Sequence, residues 1–332
     1  MENKSLKQII ANRLEKLDKI RQLGVNPYPY EFNATHSTSD ITKDKVDKKV
    51  SVAGRVMSLR KMGKAAFANI QDAHGRVQLY IARDDVGEDN YSLFKLVDIG
   101  DFIGIDGVVF ITKTDELTVK AENVTMLSKN LRPIPDVKEK DGEKYNSVSD
   151  KELRYRKRYL DMIINPETKD NYIKRFKIIN SIREFLNKNG YIEVETPVLQ
   201  PVYGGANAKP FKTFHHALDQ EFFLRIATEL YLKQLIVGGF EKVYEMSKDF
   251  RNEGIDRSHN PEFTMLEFYQ AYADYNFMMD FVEEMFKKVA TDLGVKKISW
   301  DGNNIDLSKK FARRTMDELI KEHTGHSIDL TD

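Results

Sequence analysis

VSVAGRVMSLR (Val50–Arg60) opens a stretch that continues through AAFANIQDA (Ala65–Ala73), GRVQLYIA (Gly75–Ala82), DFIGIDGVVFIT (Asp101–Thr112) and ELTVKAENVTML (Glu116–Leu127). Each run is short, rich in β-branched and aromatic residues, and bounded by Gly, Asp or Asn, the texture of strands joined by turns. About five such strands within roughly 80 residues, with a helical break near Tyr91–Leu96, predict a small antiparallel barrel over residues 46–130, and the five-stranded OB-fold is the preferred form.

On the N-terminal side, Ile9, Ile10, Leu14, Leu17 and Ile20 recur at helical spacing and Ser5 and Gln8 can form a capping box, so residues 5–23 predict an amphipathic helix stopped by Gly24. Residues 1–45 form this helix and a turn-rich connection. On the C-terminal side, residues 131–150 are polar and proline-containing, as in a linker. KELRYRKRYLDMI follows, with five basic residues between Lys151 and Arg158, either a solvated helix face or a surface lying against phosphate. Residues 151–332 then alternate helices (Asn171–Lys188, Glu229–Val237, a third ending near Leu293, Met316–Glu322) with strands (Tyr191–Leu199, Glu221–Ala227, Lys242–Phe250, Phe263–Tyr272) and a hairpin at Ile298–Leu307. Without regular βαβ spacing this predicts an α+β fold on an antiparallel sheet.

Composition narrows the chemistry. The 332 residues carry 52 basic and 52 acidic side chains, so an argument for nucleic acid has to be local. With no cysteine, disulfides, thiolate metal sites and a cysteine nucleophile are excluded. No run approaches the roughly 18 apolar residues of a membrane span, and a cytoplasmic protein without a membrane partner is expected. The absence of any Gly-x-Gly, P-loop, HExxH or Gly-x-Ser-x-Gly removes dinucleotide, P-loop, zinc-hydrolase and serine-esterase chemistry.

Three segments carry positive signals. NGYIEVETPVL runs a strand into Pro197, which removes a ladder donor and suits an edge or an interface. PVYGGANAKPF (Pro201–Phe211) has Gly204 and Gly205, where backbone can approach a small ligand, beside Lys209. FRNEGIDRSHNPEFTMLEFYQAYADY (Phe250–Tyr275) reads as the end of one strand, a polar loop and a returning strand. Period-2 alternation places Arg251 with Glu253 on one face, and Phe263, Met265, Glu267 and Tyr269 on one face of the return. An arginine can clamp phosphate or carboxylate, an aromatic can stack on a base, and carboxylates can hold an ammonium.

Together these segments resemble motif 1, the flipping loop and motif 2 of the class II aminoacyl-tRNA synthetases, most closely the lysyl-tRNA synthetase family; aspartyl and asparaginyl relatives are looser around HNPEFTMLE. The resemblance covers essentially the whole chain. It implies an OB-fold barrel followed by a class II antiparallel-sheet catalytic domain, and a reaction in which lysine is activated by ATP to lysyl-adenylate and passed to tRNA(Lys). It implies Arg251 on the α-phosphate and the substrate carboxylate, Glu253 on the adenine amino group, Phe263 stacked on the ring, and His259 and Asn260 near the triphosphate. Gly205 and Glu229 would meet the α-amino group of lysine, Glu267 and Tyr269 its ε-ammonium, and Pro197 would lie at a homodimer interface. On the barrel, Phe67 would stack on an anticodon base, with Arg60, Gln78 and Glu116 reading base edges.

Two positions depart from the family pattern: Asp115 where glycine is common, and Thr228 where proline is frequent. A later Gly-x-Gly-x-Gly-x-Glu-Arg motif and the acidic residues that bind Mg2+ are not in the sequence, so the resemblance implies a catalytic domain left incomplete at Asp332, with magnesium expected for the complete enzyme. A non-catalytic tRNA-binding or dimerising paralogue is the alternative from a different class.

Overall fold

Alternation in the five N-terminal runs is realised as β1 (Lys49–Met62), β2 (Ala65–Gln71), β3 (Arg76–Ala82), β4 (Phe102–Ile111) and β5 (Leu117–Ser128), closed into a barrel in the order β1-β2-β3-β5-β4. The computed structural model describes residues 5–135, 137–140, 143–146, 150–256 and 258–327. The expected end of the domain at Asp332, and linker positions 136, 141–142 and 147–149, lie outside them. The chain divides into two compact units, Met1–Asn165 and Pro166–Asp332.

In the first unit, β3 and β5 pair in parallel and the other neighbours are antiparallel. Inward residues such as Val52, Ile70, Leu79, Ile103, Ile105 and Met126 fill the barrel, and Ile20 of α1 (Leu6–Gln22) joins that core. The Ser5–Gln8 capping box forms in both directions. The helical break is longer than expected, α2 (Arg83–Lys95), and buries Val86, Tyr91, Leu93 and Phe94.

The face of α1 differs from its apolar pattern. Leu17 and Ile20 are buried, but Leu14 is 43% exposed and Arg13 is buried in its place. The guanidinium donates to the carbonyls of Asn130 (2.7 Å) and Ile99 (2.9 Å). Those buried acceptors need a donor more than the helix needs another apolar contact.

The linker also contains more structure than its composition indicates: β6 (Val137–Lys140) and β7 (Glu143–Asn146) pair as a hairpin. The basic run folds as α3 (Lys151–Arg156) and α4 (Arg158–Ile164). Buried Asp161 accepts from Arg154 (2.8 Å) and Arg158 (3.0 Å), so part of the run is neutralised locally and is not simply solvated.

Asp115 adopts φ +59°, the left-handed region, in the turn between β4 and β5. That conformation is where glycine is unstrained and where Asp is tolerated at a cost. Asp115→Gly is therefore expected to leave the barrel intact and to change its stability by no more than about 1 kcal/mol, in the stabilising direction, as read from urea midpoints. Loss of more than that would mean that the side chain, not the backbone, holds the turn.

In the second unit α5 (Pro166–Lys188) starts earlier than predicted, with proline at its first position where a missing N–H costs nothing. Phe185 and Leu186 of its apolar stripe are buried, whereas Ile173 and Phe176 are 41% and 58% exposed. The strand expected at Tyr191–Leu199 is reduced to β8 (Ile192–Glu193) and β9 (Leu199–Gln200), separated by the segment containing Pro197. The remaining elements are β10 (Lys212–His215), β11 (Gln220–Leu224), α6 (Glu229–Val237), β12 (Lys242–Phe250), β13 (Glu262–Gln270), α7 (Tyr275–Asp292), β14 (Lys297–Trp300), β15 (Asn303–Asp306) and α8 (Met316–Thr324). The sheets are β13-β12-β8, β10-β11-β9 and the hairpin β14-β15. All pairs are antiparallel except the short β12–β8 contact, which gives an α+β architecture.

Strand β13 is half-buried along its length because both of its faces are used. Thr264 accepts from Arg175 of α5, Leu266 and Phe268 pack on Phe185, Tyr191 and Phe281, and Gln270 accepts from the Tyr191 hydroxyl. This turns Phe263, Met265, Glu267 and Tyr269 to the opposite face.

Candidate functional site

Across the β12–β13 hairpin, Val243 pairs with Tyr269, Glu245 with Glu267, Ser247 with Met265 and Asp249 with Phe263, so one face carries all eight. Glu245, Ser247 and Asp249 are buried, and Arg225, just after β11, sits between the carboxylates of Glu245 and Asp249. Its guanidinium donates to Glu245 (2.6 Å), to the Lys248 carbonyl (2.9 Å) and to the Thr196 carbonyl (3.1 Å), and lies 3.2 Å from Asp249. Thr196 in turn donates to the second oxygen of Glu245 at 2.6 Å. Burial pushes the Asp249 carboxyl up, against the lowering pull of Ser247 and Arg225, and the nearby charges of Glu267 and Glu245 add to the rise. The sequence reading missed this network. Its signal was present: polar residues at every second position of YEMSKD, and an arginine inside the apolar run FFLRIA.

The predicted residues fall into two groups. The first lies where the strands of the hairpin part. β12 ends at Phe250, so alternation no longer orients Glu253; it is placed by the glycine-containing loop instead. Asn252 N–H donates to the Lys209 carbonyl (2.7 Å) and Lys209 N–H to the Glu253 carboxylate (3.4 Å). Arg251 stays paired through its N–H to the Pro261 carbonyl (2.9 Å). Its guanidinium lies 5.1 Å from the centroid of Phe263 and donates to the Ile226 carbonyl at 3.4 Å. A planar cation over a half-exposed ring leaves donors free for an anion and a ring edge open for a flat partner.

The second group surrounds Glu267. The Tyr269 hydroxyl donates to one of its oxygens (3.1 Å) and the Thr228 N–H to the other (3.3 Å). Burial raises the Tyr269 phenol, and the charges of Glu267 and Glu229 raise it further, so it is a neutral hydroxyl at physiological pH. Gly205, at φ +86°, lies against Glu229: a Cβ there would sit 2.9 Å from the Glu229 Cβ and 3.1 Å from that of Ala227. Any other residue would be both strained and crowded. Glu229 is also paired with Lys233 one turn along α6, at 2.6 Å. The product is an acidic, half-buried pocket with oriented acceptors.

His259 and Asn260 are not drawn into either group. They lie exposed in the loop between β12 and β13, where His259 pairs with Asp256 (2.7 Å) and Asn260 donates to the Glu262 carbonyl. Pro197 is exposed beside Val198 and Leu199, which are 40% and 48% exposed. Among the described residues no three His, Asp or Glu side chains converge as metal ligands.

On the barrel, alternation buries Ala66, Ala68 and Ile70 and leaves Phe67 on the outer face. Phe67 is paired with Arg60 on β1 and with Tyr80 on β3. Rings Phe67, Tyr80 and Phe110 form a row with centroid spacings of 5.1 and 6.1 Å. Gln78 donates to Glu116 (2.7 Å) and accepts from Thr118 (2.8 Å) beside it. The four predicted barrel residues therefore share one surface, which the sequence reading recognised without Tyr80 and Phe110.

Comparison with known proteins agrees with both units. An OB-fold nucleic acid binding domain family matches residues 50–127, and the family of class II tRNA synthetases (D, K and N) matches residues 150–330. The lysine–tRNA ligase of Carboxydothermus hydrogenoformans is 49% identical over 98% of this chain and 66% of its own length. That of Porphyromonas gingivalis is 50% identical over 95% of the chain and 57% of its own length, and that of Thermoanaerobacter pseudethanolicus 50% over 96% and 64%. The chain thus spans between 57% and 66% of the length of these curated relatives. Among the described residues no helix is long and apolar enough to cross a membrane. With both domain types present in order and the catalytic-domain family matched across residues 150–330, the chain belongs to the class II tRNA synthetases of the D, K and N group.

Proposed function

We propose that this chain carries the amino-acid and ATP site of a cytoplasmic lysine–tRNA ligase and the barrel that reads the anticodon of tRNA(Lys). The observation that carries the reading is the Glu267 pocket: a carboxylate held by Tyr269 and the Thr228 N–H, with Glu229 against Gly205. A compact ammonium is matched by oriented carboxylate and hydroxyl acceptors in a partly desolvated site. The same acidity disfavours the side chain of aspartate, and the side chain of asparagine offers no cation.

In the proposed reaction a carboxylate oxygen of lysine attacks the α-phosphorus of ATP and the bond to pyrophosphate breaks. A terminal ribose hydroxyl of tRNA(Lys) then attacks the lysyl carbonyl, AMP leaves, and the hydroxyl proton passes to solvent or phosphate. Arg251 would neutralise charge developing at the α-phosphate, Phe263 would stack on adenine, and Glu253 would accept from its amino group. Glu229 and Gly205 would hold the α-amino group, and Glu267 and Tyr269 the ε-ammonium. Positioning and charge stabilisation account for the rate. His259 and Asn260 would reach the triphosphate from their loop. Magnesium belongs to the proposal for the complete enzyme; among the described residues no three His, Asp or Glu side chains form a cluster that could hold it. The exposed strip at Pro197–Leu199 is proposed as part of a homodimer interface.

ATP–pyrophosphate exchange dependent on lysine tests the reading. Exchange at a rate typical of an intact enzyme would defeat the reading of an incomplete catalytic domain, exchange with aspartate or asparagine would favour the other branches of the family, and none with tRNA binding retained would favour a non-catalytic paralogue or an incomplete catalytic domain. On the barrel, Phe67 lies outside the core, so Phe67→Ala is expected to weaken binding of a tRNA(Lys) anticodon hairpin by about 5- to 100-fold, one base's stacking, with little change in melting temperature. Unchanged affinity would remove Phe67 from the interface.

A further inference from the structure

The side chain of Asp249 is 0% exposed, and both of its polar contacts fall on one oxygen: the Ser247 hydroxyl donates to Oδ1 (2.9 Å) and Nε of Arg225 lies 3.2 Å from it. Oδ2 is buried with no hydrogen-bond partner. Arg225 is shared with Glu245, which has the closer contact at 2.6 Å. The charges that act most on Asp249 come from three elements, Glu245 on its own strand, Glu267 on β13 and Arg225 after β11. Arg251, two residues on, turns its guanidinium to the Phe263 ring and the Ile226 carbonyl. Burial raises the carboxyl more than Ser247 and Arg225 lower it, and Glu267 and Glu245 add to the rise. A buried carboxylate with one unpartnered oxygen destabilises the fold, whereas an amide of the same shape carries no charge to desolvate.

We propose that Asp249 is a specificity-determining residue of the ammonium pocket, its buried negative charge adding, from beneath and without touching the substrate, to the field that Glu267 presents to a cationic side chain; this rests on the lysine reading of that pocket. Asp249, Glu245 and Glu267 lie on one face of the β12–β13 hairpin, with Glu267 directly across from Glu245. Coupling between charges is reciprocal. The charge of Glu267 disfavours ionisation of Asp249, so a cation seated on Glu267 relieves that repulsion, and an ionised Asp249 favours the cation by the same factor. The pocket itself stands on Glu267, Tyr269 and Glu229; Asp249 adds a graded preference for positive charge, at the expense of stability. An anion at the ATP end gains nothing from it.

The test compares the wild-type chain with Asp249→Asn, which keeps the shape and an acceptor for Ser247 and removes the charge. In calorimetric titration at pH 7.5, Kd for lysine is expected to rise about 3- to 10-fold, the effect of one unit charge across a partly solvated site, while Kd for ATP stays equal or falls. Asp249 of the wild type gains its proton as pH falls, so the variant-to-wild-type ratio of lysine Kd should be smaller at pH 4.5 than at pH 7.5. Urea midpoints give a second readout. A carboxyl raised in the folded state opposes folding once ionised, so the variant should be the more stable at pH 7.5 and lose that advantage toward pH 4. Unchanged lysine affinity would overturn the proposal. Equal losses of lysine and ATP affinity, or a lysine ratio that does not move with pH, would assign the effect to packing and overturn it as well. A variant that unfolds at lower urea than the wild type, or does not fold, would show that the charge holds the hairpin together and contradict the proposal. Wild-type protein that binds ATP but no lysine would overturn the pocket reading itself, a result distinct from failure of Asp249 alone.

Discussion

Replacing Glu267 with glutamine is expected to weaken lysine binding by about 30- to 150-fold while ATP binding stays within about 2-fold, since a half-buried charge-assisted contact is worth about 2–3 kcal/mol. Glutamine keeps the shape and one oxygen, so the Thr228 N–H retains an acceptor and the hairpin remains paired. What disappears is the negative charge that a cationic side chain needs. A second readout follows from Tyr269. Burial raises its phenol first, and the Glu267 charge raises it further, so the variant's phenol should titrate at lower pH than the wild type's in an ultraviolet titration. Lysine affinity reduced by less than about 3-fold would place the ammonium elsewhere.

The largest loss of stability is expected from Arg225→Met. The side chains of Arg225, Glu245 and Asp249 are 5%, 6% and 0% exposed, and Asp249 already has one buried oxygen with no hydrogen-bond partner. Removing the cation leaves buried carboxylates uncompensated, at about 3–5 kcal/mol. The pH dependence has a definite sign. The Asp249 carboxyl is raised in the folded state, so folding takes up a proton and stability falls as pH rises from about 4 through the folded value. Arg225 is one of the influences that lower it, so the variant's carboxyl is raised further and its penalty grows over a wider range. The deficit of Arg225→Met relative to wild type, from urea midpoints, should therefore be smaller at pH 4.5 than at pH 7.5. A deficit below about 1 kcal/mol, or one equal at both pH values, would show that the network is not held by this charge.

How much of this was legible in the sequence depended on whether a pattern was local. Strand alternation and turn residues are local, and the five barrel strands, α6 and the β12–β13 hairpin follow their sequence runs closely. Phe67 was named from the resemblance alone; that it lies outside the core is seen in the structure, where Ala66 and Ala68 are the buried residues of β2. Which side of α1 docks is not local: Arg13 displaces Leu14 because carbonyls of Ile99 and Asn130, distant in sequence, lack donors. The exposed Ile173 and Phe176 show the same limit, since an apolar stripe states a need for burial but not what provides it. At the site, charged and aromatic residues of the hairpin were visible, but the Arg225–Glu245–Asp249 network and the Thr228 N–H were not. Both depend on pairing register and backbone direction across segments separated by some twenty to forty residues.

The central claim, that the Glu267 pocket is built for an ammonium, is tested most directly by titrating the chain with lysine and with Nε-acetyl-lysine in a calorimeter. The two share the α-amino group, carboxylate and methylene chain, and differ in the charge at the far end. Lysine should bind at least about 30-fold more tightly, the value of one charge-assisted contact to Glu267; equal affinities would contradict the assignment of this pocket.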